Sequence, residues 1–141
     1  MGKADLRAFH ERRQDCWSRH DVAGLAEGHT EDGVVSSPMF GRIQGRDRIE
    51  ASYRALFEVF PDLQFELEPP IMDGDRGAQA FVIRATHKGT FMGLEGTGRR
   101  VEMPGVTIYT MRDGLIAEER RVYDFTGLLT RIGILKTRPA R

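Results

Sequence analysis

Residues 101–124, VEMPGVTIYTMRDGLIAEERRVYD, decide how the chain folds. Asp113-Gly114 stands between two alternating runs, and Asp-Gly in that setting is the strongest short hairpin signal. A two-residue turn sets Met111 opposite Ile116, Tyr109 opposite Glu118, Thr107 opposite Arg120 and Met103 opposite Asp124. Side chains alternate along a strand. One face is therefore expected to carry Met103, Thr107, Tyr109, Met111, Ile116, Glu118, Arg120, Val122 and Asp124. The other carries Val106, Ile108, Thr110, Ala117, Glu119, Arg121 and Tyr123. The first row mixes apolar side chains with a phenol, two carboxylates and a guanidinium. That mixture suits a pocket with apolar walls and a few convergent polar groups.

Working outward, the period of two extends back to residue 63, and the period before it is helical. Residues 63–72 read as a strand interrupted by Pro69-Pro70, a pair that belongs at an edge or a bulge. Residues 73–75 are a turn, and 77–87 are a long strand. The glycine-rich stretch 88–99 reads as a loop, rim or lid. It lacks the GxxxxGK[ST] pattern of a phosphate loop. Upstream, Ile49, Tyr53, Leu56, Phe57 and Phe60 repeat at helical spacing over 47–60, and Asp47 with Glu50 resembles a capping box. Residues 3–20 form a first helix, and Asp21 caps a short second one. Residues 33–37 are a short strand, 39–45 a loop, and 125–134 a final helix. Helices first and antiparallel strands afterwards give an α+β chain, a curved sheet with helices on its concave face.

Composition narrows the function. The 141 residues form one domain, 1–141, large enough for a core and a cavity. Lys+Arg and Asp+Glu balance at 21 each, so no long-range field draws nucleic acid or a membrane surface. Lys136, Arg138 and Arg141 make a small basic tail, read as a solvated end. A single cysteine, Cys16, excludes an internal disulfide. No apolar run approaches the ~20 residues that span a bilayer, and the expectation is a soluble cytoplasmic protein. The four histidines show neither HxxxH nor HxH spacing, so no metal is expected.

Six motifs then stand in order: FPDL at 60–63, DGDR at 73–76, THKGTFMG at 86–93, TGRRVEMPG at 97–105, RDGLIAEE at 112–119 and YDFTGLLTRIG at 123–133. Together they resemble the SnoaL-like polyketide cyclase family, within the group sharing the nuclear-transport-factor-2 (NTF2-like) and ketosteroid-isomerase fold. The resemblance implies a cone-shaped α+β barrel, a deep apolar pocket for a small hydrophobic molecule, no cofactor, and a homo-oligomer, a dimer or tetramer. It also implies acid/base work by an aspartate at the end of the last strand, here Asp124. Those enzymes commonly pair that aspartate with a histidine on the preceding strand, where this chain has Tyr109.

The chemistry this resemblance implies is an aldol-type ring closure or isomerisation. A base takes a proton α to a carbonyl, and donors hold the enolate oxygen. Asp124 is the candidate base; it also directly precedes the final helix, so a capping bond to the amide of Thr126 or Gly127 stands as the other role. Tyr109 is a candidate donor, or an ordinary strand aromatic. His29 is a candidate proton relay, or a histidine at a helix C-terminus. Glu118 and Arg120 share the inward row and form either a pocket pair or an exposed rim pair. His87 is a candidate pocket residue, or ends a strand and fixes the loop after it, while His10 and His20 face solvent. Trp17, Met39, Phe57, Met92 and Met103 are candidates to line the cavity, or plain core. Two other functions fit the same residues: epoxide-hydrolase-like water addition, and non-catalytic binding of a hydrophobic metabolite.

Overall fold

A computed structural model of the chain describes residues 2–136 and 138. Arg141 of the basic tail lies outside the described residues. The elements are α1 (Lys3–Ser18), α2 (Val22–Glu27), β1 (His29–Ser37), β2 (Gly41–Gln44), α3 (Arg46–Val59), β3 (Gln64–Leu67), β4 (Ile71–Asp73), β5 (Arg76–Thr86), β6 (Arg100–Arg112), β7 (Leu115–Tyr123) and α4 (Phe125–Ile132). They make the expected α+β fold. One curved sheet runs β2-β1-β7-β6-β5-β3, with β4 also on β5. Only the β1–β7 pair is parallel. The sheet curls into an open cone and does not close into a barrel, since β2 and β3 remain as edges.

The helices fill the concave side. Trp17 of α1 stacks on Phe65 of β3 at 4.0 Å between ring centroids, and Phe65 stacks on Phe81 of β5 at 4.7 Å. Ile49, Tyr53 and Leu56 bury the expected stripe of α3 against the same core. The cap of α3 differs from expectation. Its N-cap is Gly45, with no side-chain cap bond, so Asp47 and Glu50 form no capping box. Gly45 has a φ of +99°, open to glycine and strained for other residues. The 39–45 loop contains β2, a short hairpin partner of β1 that four residues with little periodicity did not announce. Asp62 of FPDL ties the chain after α3 to the end of β5, accepting from the Thr86 amide at 2.7 Å and from its hydroxyl at 2.6 Å.

The central hairpin is where expectation and structure part. Asp113 and Gly114 both have positive φ, +54° and +75°, as a type I′ turn requires. Met111 pairs with Ile116 as expected, but Thr110 pairs with Glu118, Tyr109 with Glu119 and Thr107 with Arg121. Ala117 is therefore an extra residue, a β-bulge, and every β7 side chain beyond it changes face. The β6 row Met103, Thr107, Tyr109 and Met111 is inward and buried, as read from the sequence. On β7 the inward row is Ile116, Glu119, Arg121 and, half-buried, Tyr123. Glu118 and Arg120 point to solvent, as does Val122 at 52 % exposure. β1 absorbs the same irregularity on the other side, its register on β7 shifting between His29 and Val34.

This register predicts unequal neighbours. Glu119→Ala is expected to destabilise by about 3–5 kcal/mol, as removal of one member of a buried ion pair does. Glu118→Ala should stay within about 0.5 kcal/mol. Urea denaturation of both variants checks this, and similar small losses would contradict the bulge.

Candidate active site

The inward carboxylate of Glu119 sits at the centre of a polar cluster inside the cone. Arg121, two residues on, donates Nε to Oε2 at 3.0 Å and Nη2 to Oε1 at 3.3 Å. Thr107 of β6 donates its hydroxyl to Oε2 at 2.9 Å. Arg13 of α1 brings Nη2 to 3.9 Å from Oε1. Arg13, Glu119 and Arg121 are 4 %, 2 % and 8 % exposed. Tyr53 of α3 accepts from Arg121 Nη2 at 3.0 Å and shares a 2.9 Å hydrogen bond with His29 Nε2. Tyr109 donates to Gln79 Oε1 at 2.8 Å, and Gln79 Nε2 reaches His10 Nδ1 at 3.0 Å. The guanidiniums also lie over ring faces, Arg13 over Phe9 and Tyr109 at 5.9 Å each, Arg121 over Tyr53 at 5.2 Å.

Burial sets the charge states. It would push the Glu119 carboxyl up, but Arg121 and Arg13 hold it well below the usual carboxylate range. Burial lowers the His29 imidazole from its ordinary 6.5 to about 3, and Glu119 only partly opposes this. His29 is thus uncharged at neutral pH, and its 3.7 Å approach to Glu119 is no ion pair. Burial also raises the Tyr109 phenol, so it stays a protonated donor. A carboxylate held so firmly ionised is a counter-ion, and a weak base.

Beside the cluster lies a narrow apolar cavity of about 30 Å³. Its walls include Met39, Phe60, Phe65, Phe81, Met103 and Leu128, and its polar members are Arg121 and Tyr123. Ligand pockets commonly span roughly 300–1,000 Å³. A guest of more than a few atoms therefore enters only as these walls move, and the two methionines are the adaptable ones. Tyr123 Oη accepts from the Met39 amide at 3.2 Å. Arg121 alone belongs to both the cavity wall and the ion cluster.

A model of the SnoaL-like polyketide cyclase family matches residues 8–132. The chain belongs to that family. Among solved structures, AclR, "a putative hydroxylase from Streptomyces galilaeus", is similar with a TM-score of 0.82 and 30% identity, over 98% of this chain and 87% of that one. IdmH, "a putative polyketide cyclase from Streptomyces antibioticus", has a TM-score of 0.75 and 24% identity, covering 91% and 98%. A "putative SnoaL-like polyketide cyclase" from Jannaschia sp. CCS1 has a TM-score of 0.79 and 23% identity, covering 94% of each chain. These last two show the fold alone. A comparison with curated proteins gives no match.

In this SnoaL-like chain the residues singled out from sequence separate into three places. Tyr109 and His29 lie in the buried cluster, His29 as the first residue of β1, directly after Gly28, the C-cap of α2. Met39 and Met103 line the cavity, and Trp17 backs it through Phe65. The rest lie elsewhere. Asp124 is exposed and accepts from the Gly127 amide at 2.9 Å as the N-cap of α4. It opens onto an outer groove that shares Val101, Met103 and Leu128 with the cavity. Glu118 and Arg120 are on the outer sheet face. Phe57 packs against Trp17 and His20, and Met92 is 62 % exposed in the 88–99 loop. His87 is buried and holds that loop through Thr97 Oγ1 at 3.0 Å. His20 is not a free surface group, since its Nε2 lies 2.7 Å from the Leu63 carbonyl. Glu119, Arg121, Arg13, Tyr53 and Gln79 were missed as a group. One signal was present: Arg13 completes the stripe Phe9, Arg13, Cys16, Trp17, and a charge on a buried stripe demands an inward partner.

The uncharged His29 gives a pH dependence with a definite sign. Between pH 6.5 and about 3 the unfolded chain binds a proton there and the folded chain does not. Stability therefore falls as pH drops through that window, by about 1.4 kcal/mol per pH unit at most. Glu119 acts below its ordinary 4.5, where its contribution is lost as pH falls toward its depressed folded value. Of these two, only His29 acts between pH 4.5 and 6.5. His29→Gln should flatten the stability slope there in urea titrations; an unchanged slope would assign it to other groups.

Proposed function

We propose that this protein is a cofactor-independent acid/base enzyme acting on a small hydrophobic carbonyl compound, by aldol-type ring closure or isomerisation. The observation that carries this reading is the position of Arg121, which is both anchored to Glu119 and part of the wall of a largely apolar cavity. A carbonyl oxygen entering the cavity would meet a fixed cation in a water-poor setting. Such a group stabilises the negative charge that develops as an α-proton leaves. Glu119, Thr107 and Tyr53 hold it in place, so little reorganisation accompanies the reaction. Asp124 is the proposed base. It reaches substrate from the outer groove when the shared wall of Met103 and Leu128 parts, and membership of the SnoaL-like family supports this role.

A second reading, non-catalytic binding, fits the same site. Among the described residues the cavity wall contains no carboxylate, and Asp124 is already engaged as a helix cap. Those two facts favour a binding protein that sequesters a hydrophobic metabolite without turnover.

Deuterium exchange at the α-carbon of 1-indanone, followed by NMR, separates the two. An enzyme accelerates it above buffer, and Arg121→Met should reduce the acceleration by about 10²–10³-fold. Asp124→Asn and Asp124→Ser both keep an N-capping side chain. They should lower exchange by about 10²-fold or more with an unshifted thermal midpoint. Full exchange in both would leave Asp124 as a cap only, and no exchange in the unaltered protein would favour the binder.

A further inference from the structure

The buried cluster has more positive charge than it neutralises. Two buried guanidiniums, Arg13 and Arg121, face a single buried carboxylate among the described residues. The histidine among them is uncharged. A third arginine, Arg46, reaches the same region and donates Nε and Nη2 to the His29 carbonyl at 3.1 and 2.6 Å. Arg13 Nε and Nη1 are buried with no hydrogen-bond partner among the described residues. Its closest anionic contact, at 3.9 Å, is too long for a hydrogen bond. A desolvated cation in excess is costly, and the ring faces of Phe9, Tyr109 and Tyr53 offset only part of that cost.

Arg121 carries the excess to the cavity. Its Nε and Nη2 are taken by Glu119 and Tyr53, and Nη1 makes no hydrogen bond among the described residues. We infer that the cavity takes its ligand as an anion, an apolar molecule with one ionised oxygen, carboxylate or acidic enol, set against Arg121 Nη1. The apolar body then lies among Phe60, Phe81, Met103 and Leu128. The inference rests on the cavity being the ligand site, as the proposed function also holds, and it narrows the substrate class. A neutral ketone would leave the surplus charge unmatched, whereas an anion would balance it and fill the donor left open.

Benzoate and its neutral isostere benzamide test this. Trp17, the only tryptophan, stacks on the cavity wall residue Phe65 and reports binding by its fluorescence. At pH 7 benzoate should bind at least tenfold more tightly than benzamide. Arg121→Met should abolish that preference. Should Arg121→Met fail to fold, Arg121→Lys keeps the charge and should keep a preference for benzoate. Equal binding of the two probes by the unaltered protein, tighter binding of benzamide, or binding of neither would overturn the inference. An anion preference with no ketone exchange would count against the acid/base reading alone.

Discussion

The Glu119 carboxylate held between Arg121 and Arg13 is the interaction on which the interior depends. It joins β7 to α1 directly, to β6 through Thr107, and to α3 and β1 through Arg121, Tyr53 and His29. Five elements thus meet at one buried charge. Such clusters are poor sources of net stability, because desolvating the ions offsets most of their attraction. They are strict about geometry, since a partner displaced by one strand position leaves an ion unpaired in a low-dielectric interior. The bulge at Ala117 selects which carboxylate and which guanidinium enter the cluster. Without the extra residue, Glu118 and Arg120 would turn inward in place of Glu119 and Arg121.

The cone is divided by polarity. Its polar half is buried, while its apolar half is a slender gap bordered by methionines and aromatic rings. Arg121 stands on the boundary. That placement gives a fixed charge an apolar approach, an arrangement able to bind, orient or polarise an oxygen. Asp124 lies outside this boundary, and the same backbone geometry that makes it a good cap turns it away from the gap. Fold membership cannot choose among these chemistries, because related structures include both a hydroxylase candidate and cyclase candidates. The residues at the boundary carry the functional reading.

Much of the architecture was legible before any coordinates. The stripe on α3, the Asp-Gly turn, the inward β6 row and the capping aspartates at 21 and 124 all follow from local rules. Each depends on residues within a few positions of one another. Half of the polar site was legible too, through Tyr109 and His29. The other half was assigned to Glu118 and Arg120, the wrong members of two adjacent like pairs, Glu118-Glu119 and Arg120-Arg121. In the run GLIAEERRVYD either register yields a carboxylate and a guanidinium on the inner face, so composition could not expose the slip.

By itself, then, the chain determined its α+β class, its helix and turn positions, and one face of its central hairpin, because those are set by short-range periodicity and backbone preference. Tertiary structure decided which charges are inside and whether the aspartate before α4 meets the interior. The reason is physical: a single unpaired residue inverts every side chain beyond it, and its place is set jointly by β1 and β6 on either side of β7, far apart in sequence.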